Sequence, residues 1–129
     1  FQNTRRAIVS LYQEAFDGME SLDTPCVKPD VEHAWHLYPL RLKLSKWAIS
    51  RDQFIEELAK RNIGASVHFI PLHEMTFYRD RYKLSDEDFP VAAEEAPRLV
   101  SIPLNANMSQ SDALDVIAAV QDIWKHFAQ

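Results

Sequence analysis

The run Tyr38-Pro-Leu-Arg-Leu-Lys-Leu44 alternates apolar and charged residues, placing Leu40, Leu42 and Leu44 on one face of an extended strand and Arg41 and Lys43 on the other. A strand with one apolar face belongs to an antiparallel sheet covered on one side only. The period-two pattern extends the predicted strand back to Ala34, giving Ala34 to Leu44. Pro39 lacks a ladder donor and therefore predicts a sheet edge or a bulge at that point.

The covering layer is written as helical stripes. Ala7, Ile8, Leu11, Tyr12, Ala15, Phe16 and Met19 recur at helical spacing and predict a helix from Thr4 to Met19. Glu20 to Glu32, with Pro25 and Pro29, reads as a connector. Ser50 and Gln53 make a capping box, and Phe54, Ile55, Leu58 and Ala59 then supply a helical stripe ending near Asn62 and Gly64. A strand is predicted over Ala65 to Phe69, followed by an excursion over Pro71 to Asp88 that contains a helical turn or two. Pro90 predicts the first turn of a helix running towards Leu99, with Asp88 as its cap, while Pro97 disturbs its end. Ser101-Ile-Pro-Leu104 reads as a short extended segment. Ser109 and Asp112 open a final helix with the stripe Ala113, Ile117, Val120, Trp124 and Phe127, widened by Leu114 and Ile123. This order predicts an α+β fold: a two-layer small domain with a small, mainly antiparallel sheet covered by helices.

The 129 residues suit one domain that builds a core without staples. A net charge of -5 without clustered Lys and Arg argues against nucleic acid as a partner. No apolar run approaches the ~20 residues of a membrane span, and no leader pattern opens the chain. The single cysteine, Cys26, fits a reducing compartment, and a cytoplasmic location is expected. The chain starts at Phe1 and enters a helix almost at once, which predicts a piece of a longer protein, although processing of a short leader would give the same start. Its only glycines are Gly18 and Gly64, too few for a dinucleotide or P-loop phosphate cradle. Any phosphate chemistry is therefore expected to rest on another part of that protein.

Among chemistry-bearing residues, His33, His36, His68 and His73 are potential metal ligands, but His33 and His36 point to opposite faces of a strand and no second cysteine or His-Glu-x-x-His pattern accompanies them. No metal site is expected. Cys26 lies in the connector, and no serine sits on a nucleophile elbow. Glu94-Glu95 and Asp86-Glu87-Asp88 read as solvated faces or caps. Trp35, Trp47 and Trp124 read as packing anchors. His68 is the best single functional candidate, at the end of a strand where ligands meet a scaffold; its competing reading is a satisfied core histidine.

Four segments then combine. Ala34-Trp-His-Leu-Tyr, Arg51 through His73 with its His-aromatic-x-Pro-Leu-His element, Phe89-Pro-Val-Ala and Ser101-Ile-Pro-Leu together resemble the C-terminal part of the DegT/DnrJ/EryC1/StrS sugar aminotransferases. Arg5-Arg6 and Tyr12 are similar to the helix that enters that part. The resemblance implies a pyridoxal-phosphate (PLP) enzyme of the aspartate-aminotransferase fold type, moving an amino group from glutamate or glutamine to a nucleotide-linked keto sugar, with the parent protein a homodimer. Residues 1–20 would be the connecting helix and residues 33–129 the small C-terminal domain. The absent large domain would supply the Schiff-base lysine and most PLP contacts, since Lys28, Lys43, Lys46, Lys60, Lys83 and Lys125 match no cofactor-lysine motif. The chain alone would then be inert, with no catalytic or cofactor-binding residue of its own.

By matching position, His68, Phe69, Pro71 and His73 are the implied substrate-binding residues. Phe69 stands where the family has tyrosine, which replaces a hydroxyl contact by an apolar one. The resemblance also leaves Ala7, Leu11 and Phe16 as the patch that a large domain would cover. A non-enzymatic binding or regulatory module, and a dehydratase of the same fold family, are the alternative readings.

Overall fold

The computed structural model describes all residues, 1–129. Its elements, in order, are α1 (Gln2–Phe16), β1 (Leu22–Asp23), β2 (Tyr38–Leu42), α2 (Arg51–Lys60), α3 (Thr76–Tyr82), α4 (Pro90–Glu95), β3 (Leu99–Ile102) and α5 (Gln110–Phe127). The three strands form one antiparallel sheet in the order β1-β2-β3, with Leu22 opposite Leu42 and Leu40 opposite Val100. The architecture is α+β, as the alternation and the helical stripes predict.

β2 organises the core. Tyr38, Leu40 and Leu42 are fully buried on its inner face, while Arg41 on the outer face is exposed and pairs with Asp23 and Glu95. Packed against that inner face are Ile8, Tyr12 and Phe16 of α1, Phe54 and Leu58 of α2, and Val116, Val120 and Ile123 of α5, all in one apolar cluster. Burial of each such side chain contributes about 1.5–3 kcal/mol. Tyr12 buries its ring and still donates its hydroxyl to the Pro103 carbonyl at 2.8 Å, so the phenol is satisfied inside the core. Burial, with a smaller contribution from Tyr38, pushes its ionisation well above the ordinary tyrosine range.

Local signals explain the helices. Ser50 and Gln53 cap α2 reciprocally, and Ser109 and Asp112 do the same for α5. Past the end of α2, Asn62 takes the left-handed conformation at φ 60, a role open to asparagine as well as glycine. Arg61 then reaches across to Asp122 on α5 at 2.7 Å, tying the two helices together.

Several elements differ from the sequence expectations. α1 runs Gln2–Phe16 rather than Thr4–Met19, and the connector contains the two-residue β1. The strand expected from Ala34 to Leu44 narrows to Tyr38–Leu42, because Trp35 turns the chain at φ 47 and Leu44–Lys46 wind into a 3₁₀ turn. β2 is central, yet Pro39 is tolerated: β1 reaches only Arg41 and Leu42, so the sheet is one-sided at Pro39. The strand expected over Ala65 to Phe69 reduces to a single bridge, Ser66 to Ser101. Asp88 caps backward onto Ser85 instead of capping α4, which Phe89 precedes without a side-chain cap. α4 stops at Glu95, and Pro97 sits in a 3₁₀ turn that delivers the chain into β3 two residues earlier than expected.

Of the expected exposed patch only Ala7 is exposed. Phe16 is only 2% exposed, in the core cluster with α5, and Leu11 is half-buried. Trp124 and Leu114 of α5 instead face outward.

Leu40→Ala is expected to destabilise the fold by about 2–5 kcal/mol in urea denaturation, whereas Leu114→Ala on the outer face of α5 should stay within about 0.5 kcal/mol.

Candidate functional site

Ser66 and Ser101 exchange two backbone hydrogen bonds, Ser66 N to Ser101 O at 3.1 Å and Ser101 N to Ser66 O at 2.8 Å. They fix where the chain leaves the edge of β3 and enters the loop that carries the sequence-predicted site residues. Pro71 ends the extended segment, and Leu72–Glu74 wind into a 3₁₀ turn. α3 follows immediately, and the return path through Asp86–Asp88 and α4 brings the chain back to the sheet.

The four predicted residues divide between surface and interior. His68 is exposed; its Nδ1 lies 3.4 Å from the Ser66 hydroxyl and its ring meets Phe69 edge-on. The His68–Phe69 peptide is cis. Phe69 is 77% exposed, whereas Pro71 is half-buried. His73 is only 4% exposed and stacks on Phe89 with ring centroids 4.9 Å apart. The reading of a satisfied core histidine therefore fails for His68, and it is His73 that is buried.

Phe69 and Pro71 line a cleft of about 320 Å³ together with Arg51, Glu74, Asp86 and Pro97. Arg51 is held on its wall: Nη1 donates to the Ala96 and Leu99 carbonyls at 3.0 Å each, and Nε donates to Asp52 at 2.5 Å. A larger depression of about 490 Å³, lined by Gly18, Glu20, Lys46 and Trp124 among others, contains none of the predicted residues. The sequence reading missed Arg51, Glu74 and Asp86. Arg51 opens a helix and reads as a first-turn residue, while Asp86 sits in an acidic run whose approach to residue 73 depends on the fold of the whole excursion.

Large apolar side chains are also exposed from this loop through α4. Phe69, Ile70, Leu72, Phe77, Tyr82 and Val91 are each more than half exposed. Six such side chains between residues 69 and 91 make this segment the candidate for a contact face.

Residues 1–121 match the DegT/DnrJ/EryC1/StrS aminotransferase family. The chain belongs to that family. It is 46% identical over 119 residues to protein MJ1066 of Methanocaldococcus jannaschii, covering 92% of this chain and 31% of the relative. It is 42% identical over 125 residues to the spore coat polysaccharide biosynthesis protein SpsC of Bacillus subtilis, covering 96% and 32%. Among solved structures it superposes with a TM-score of 0.86 on Spr1654 of Streptococcus pneumoniae, assigned as a sugar aminotransferase and solved in its PMP-form, at 25% identity over 97% of this chain and 31% of that one. The chain thus spans about a third of the length of these relatives. Members of the family are PLP-dependent aminotransferases.

The residues of this chain do not themselves fit PLP. A PLP site needs a lysine amine inside a pocket and a cup of backbone donors for the phosphate. Lys28, Lys60, Lys83 and Lys125 are exposed, and Lys43 and Lys46 pair at the surface with Asp23 and Glu20. Nothing lies within 4 Å of where a Cβ would stand on either glycine, so neither marks a close backbone approach.

His68→Ala should leave stability within about 0.5 kcal/mol, while His73→Ala, which removes a buried ring and its stack on Phe89, should cost about 1–3 kcal/mol; thermal and urea unfolding of both variants check the contrast.

Proposed function

We propose that this chain is the small C-terminal domain of a longer PLP-dependent aminotransferase that transfers an amino group from glutamate or glutamine to a keto sugar carried on a nucleotide. Residues 1–20 form its connecting helix and residues 33–129 the domain proper. The observation that carries the proposal is the family match over residues 1–121, which runs through the Ser66–His73 loop, combined with a cleft and an exposed apolar face on that same loop and excursion. The SpsC similarity favours a role in polysaccharide biosynthesis. The proposed parent is a cytoplasmic homodimer; no helix of this chain is long and apolar enough to cross a membrane.

PLP supplies the amino-transfer chemistry, and the part of the enzyme beyond these residues holds it, including its lysine. The work of this chain is binding and closure. Its apolar face packs against the cofactor-bearing part and excludes water from the cleft. His68, exposed beside Ser66, donates a hydrogen bond to a sugar hydroxyl or to the diphosphate. Phe69 presents an apolar ring to the sugar, Pro71 stiffens the loop, and His73 anchors that loop from below through Phe89. On this reading the isolated chain is inactive.

The longer enzyme, incubated with PLP and reduced with borohydride, should carry a pyridoxyl-lysine adduct that peptide mass analysis places outside residues 1–129. An adduct on a lysine of this chain contradicts the division of labour. No adduct anywhere in that enzyme favours the dehydratase, binding or regulatory readings. In the same enzyme, His68→Ala should lower kcat/KM for the sugar substrate about tenfold or more, the loss expected for one hydrogen bond to a charged or polar substrate group.

A further inference from the structure

We propose that His73, Glu74 and Asp86 form a binding site for a first-row divalent cation of the Zn²⁺ type. The His73 Nε2 lies 3.3 Å from Asp86 Oδ1 and 4.0 Å from Glu74 Oε1, and one ligand atom from each of the three residues falls within 4.8 Å of the others. Zn²⁺ bound at ~2.0–2.2 Å by nitrogen and oxygen ligands places adjacent ligand atoms roughly 3.0–3.5 Å apart. The His73–Asp86 separation already matches that spacing. The Glu74 contact closes with a small side-chain movement, which its 40% exposed side chain and the 74% exposed side chain of Asp86 both permit.

The second observation is the state of His73 itself. Its side chain is 3% exposed, and Nε2 is buried with no hydrogen-bond partner, although it is aimed at two carboxylates. A buried polar atom in that position costs free energy unless something satisfies it. A cation between the three groups would satisfy that buried nitrogen and neutralise the two acids together.

The ring is oriented for this task by its stack on Phe89, at 4.9 Å and 24° between planes. One imidazole and two carboxylates form a mixed nitrogen and oxygen set that suits Zn²⁺ or a neighbouring divalent ion better than Mg²⁺ or Ca²⁺, which take oxygen alone. Glu74 and Asp86 also line the 320 Å³ cleft, so the remaining coordination positions open onto it and are available to water. The three ligands come from the two ends of the excursion that carries α3. Cation binding would therefore staple that excursion at its base and hold Phe77 and Tyr82 in place. Histidine spacing alone gave no such site; the fold adds the two carboxylates.

The intact protein, freed of metal by dialysis against chelator, is titrated with Zn²⁺ by calorimetry and with Co²⁺ by visible absorbance. One Zn²⁺ should bind per chain, with Co²⁺ bands of a low-coordinate nitrogen and oxygen site. Asp86→Asn and Glu74→Gln should each weaken binding about tenfold or more, since removing a ligand costs at least as much as removing its supporting partner. Both carboxylates are exposed, so these variants keep the fold even where a His73 variant does not. His126→Gln, which removes the surface His126–Asp122 pair, should leave the affinity unchanged. Unchanged affinity in both carboxylate variants, or no binding below millimolar Zn²⁺, overturns the proposal.

Discussion

The buried face of β2 is the interaction on which the rest of the structure depends. Tyr38, Leu40 and Leu42 have no exposure, and each of the three long helices contributes side chains to the cluster that covers them. A three-stranded sheet whose first strand has two residues has too few ladder bonds to stand alone, so apolar burial under α1, α2 and α5 carries the fold. The polar outer face, with Arg41 between Asp23 and Glu95, contributes little by comparison because these groups remain in solvent.

The candidate site follows from how the sheet ends. Ser101 turns its N–H and C=O outward to Ser66, which places Pro39 opposite it in a position where no ladder bond is required. The same pair of bonds launches residues 67–73 from the sheet edge. Because Pro71 then stops extension, the chain spends its next residues on a projecting excursion rather than on a fourth strand. The result is a buried His73 beneath an exposed His68 and Phe69, so the histidines of one short motif hold different tasks: one anchors the loop and the other faces outward.

What was legible in the sequence tracks how local its cause is. α2 and α5 were readable because their capping boxes and apolar stripes lie within the helices themselves. The inner face of β2 was readable from Leu40 and Leu42, since alternation needs no knowledge of the partner. Residues 65–69 read as a strand but make one bridge, because strand length is decided by the neighbour and β3 offers Ser101 alone on that side. β1 was invisible for the same reason: two residues between prolines and acids acquire strand character only from β2. His68 was singled out as a titratable group at a predicted strand end, and Phe69, Pro71 and His73 through family resemblance, while the approach of Asp86 to His73 spans an excursion that no spacing rule reaches. Phe16 was misassigned to an outer patch because a helical stripe shows that a face is covered without showing by what; here the cover includes α5.

The central claim is that the face bearing Phe69, Ile70, Phe77, Tyr82 and Val91 is the contact surface for the remainder of a longer enzyme. Hydroxyl-radical footprinting of this chain alone and within that enzyme measures it directly, residue by residue. The account predicts strong oxidation of Phe69, Phe77 and Tyr82 in the isolated chain and marked protection of all three in the longer protein, with Trp124 of α5 changing less. Equal oxidation of the three aromatics in both forms, with protection confined to the α1 and α5 surface, would contradict it.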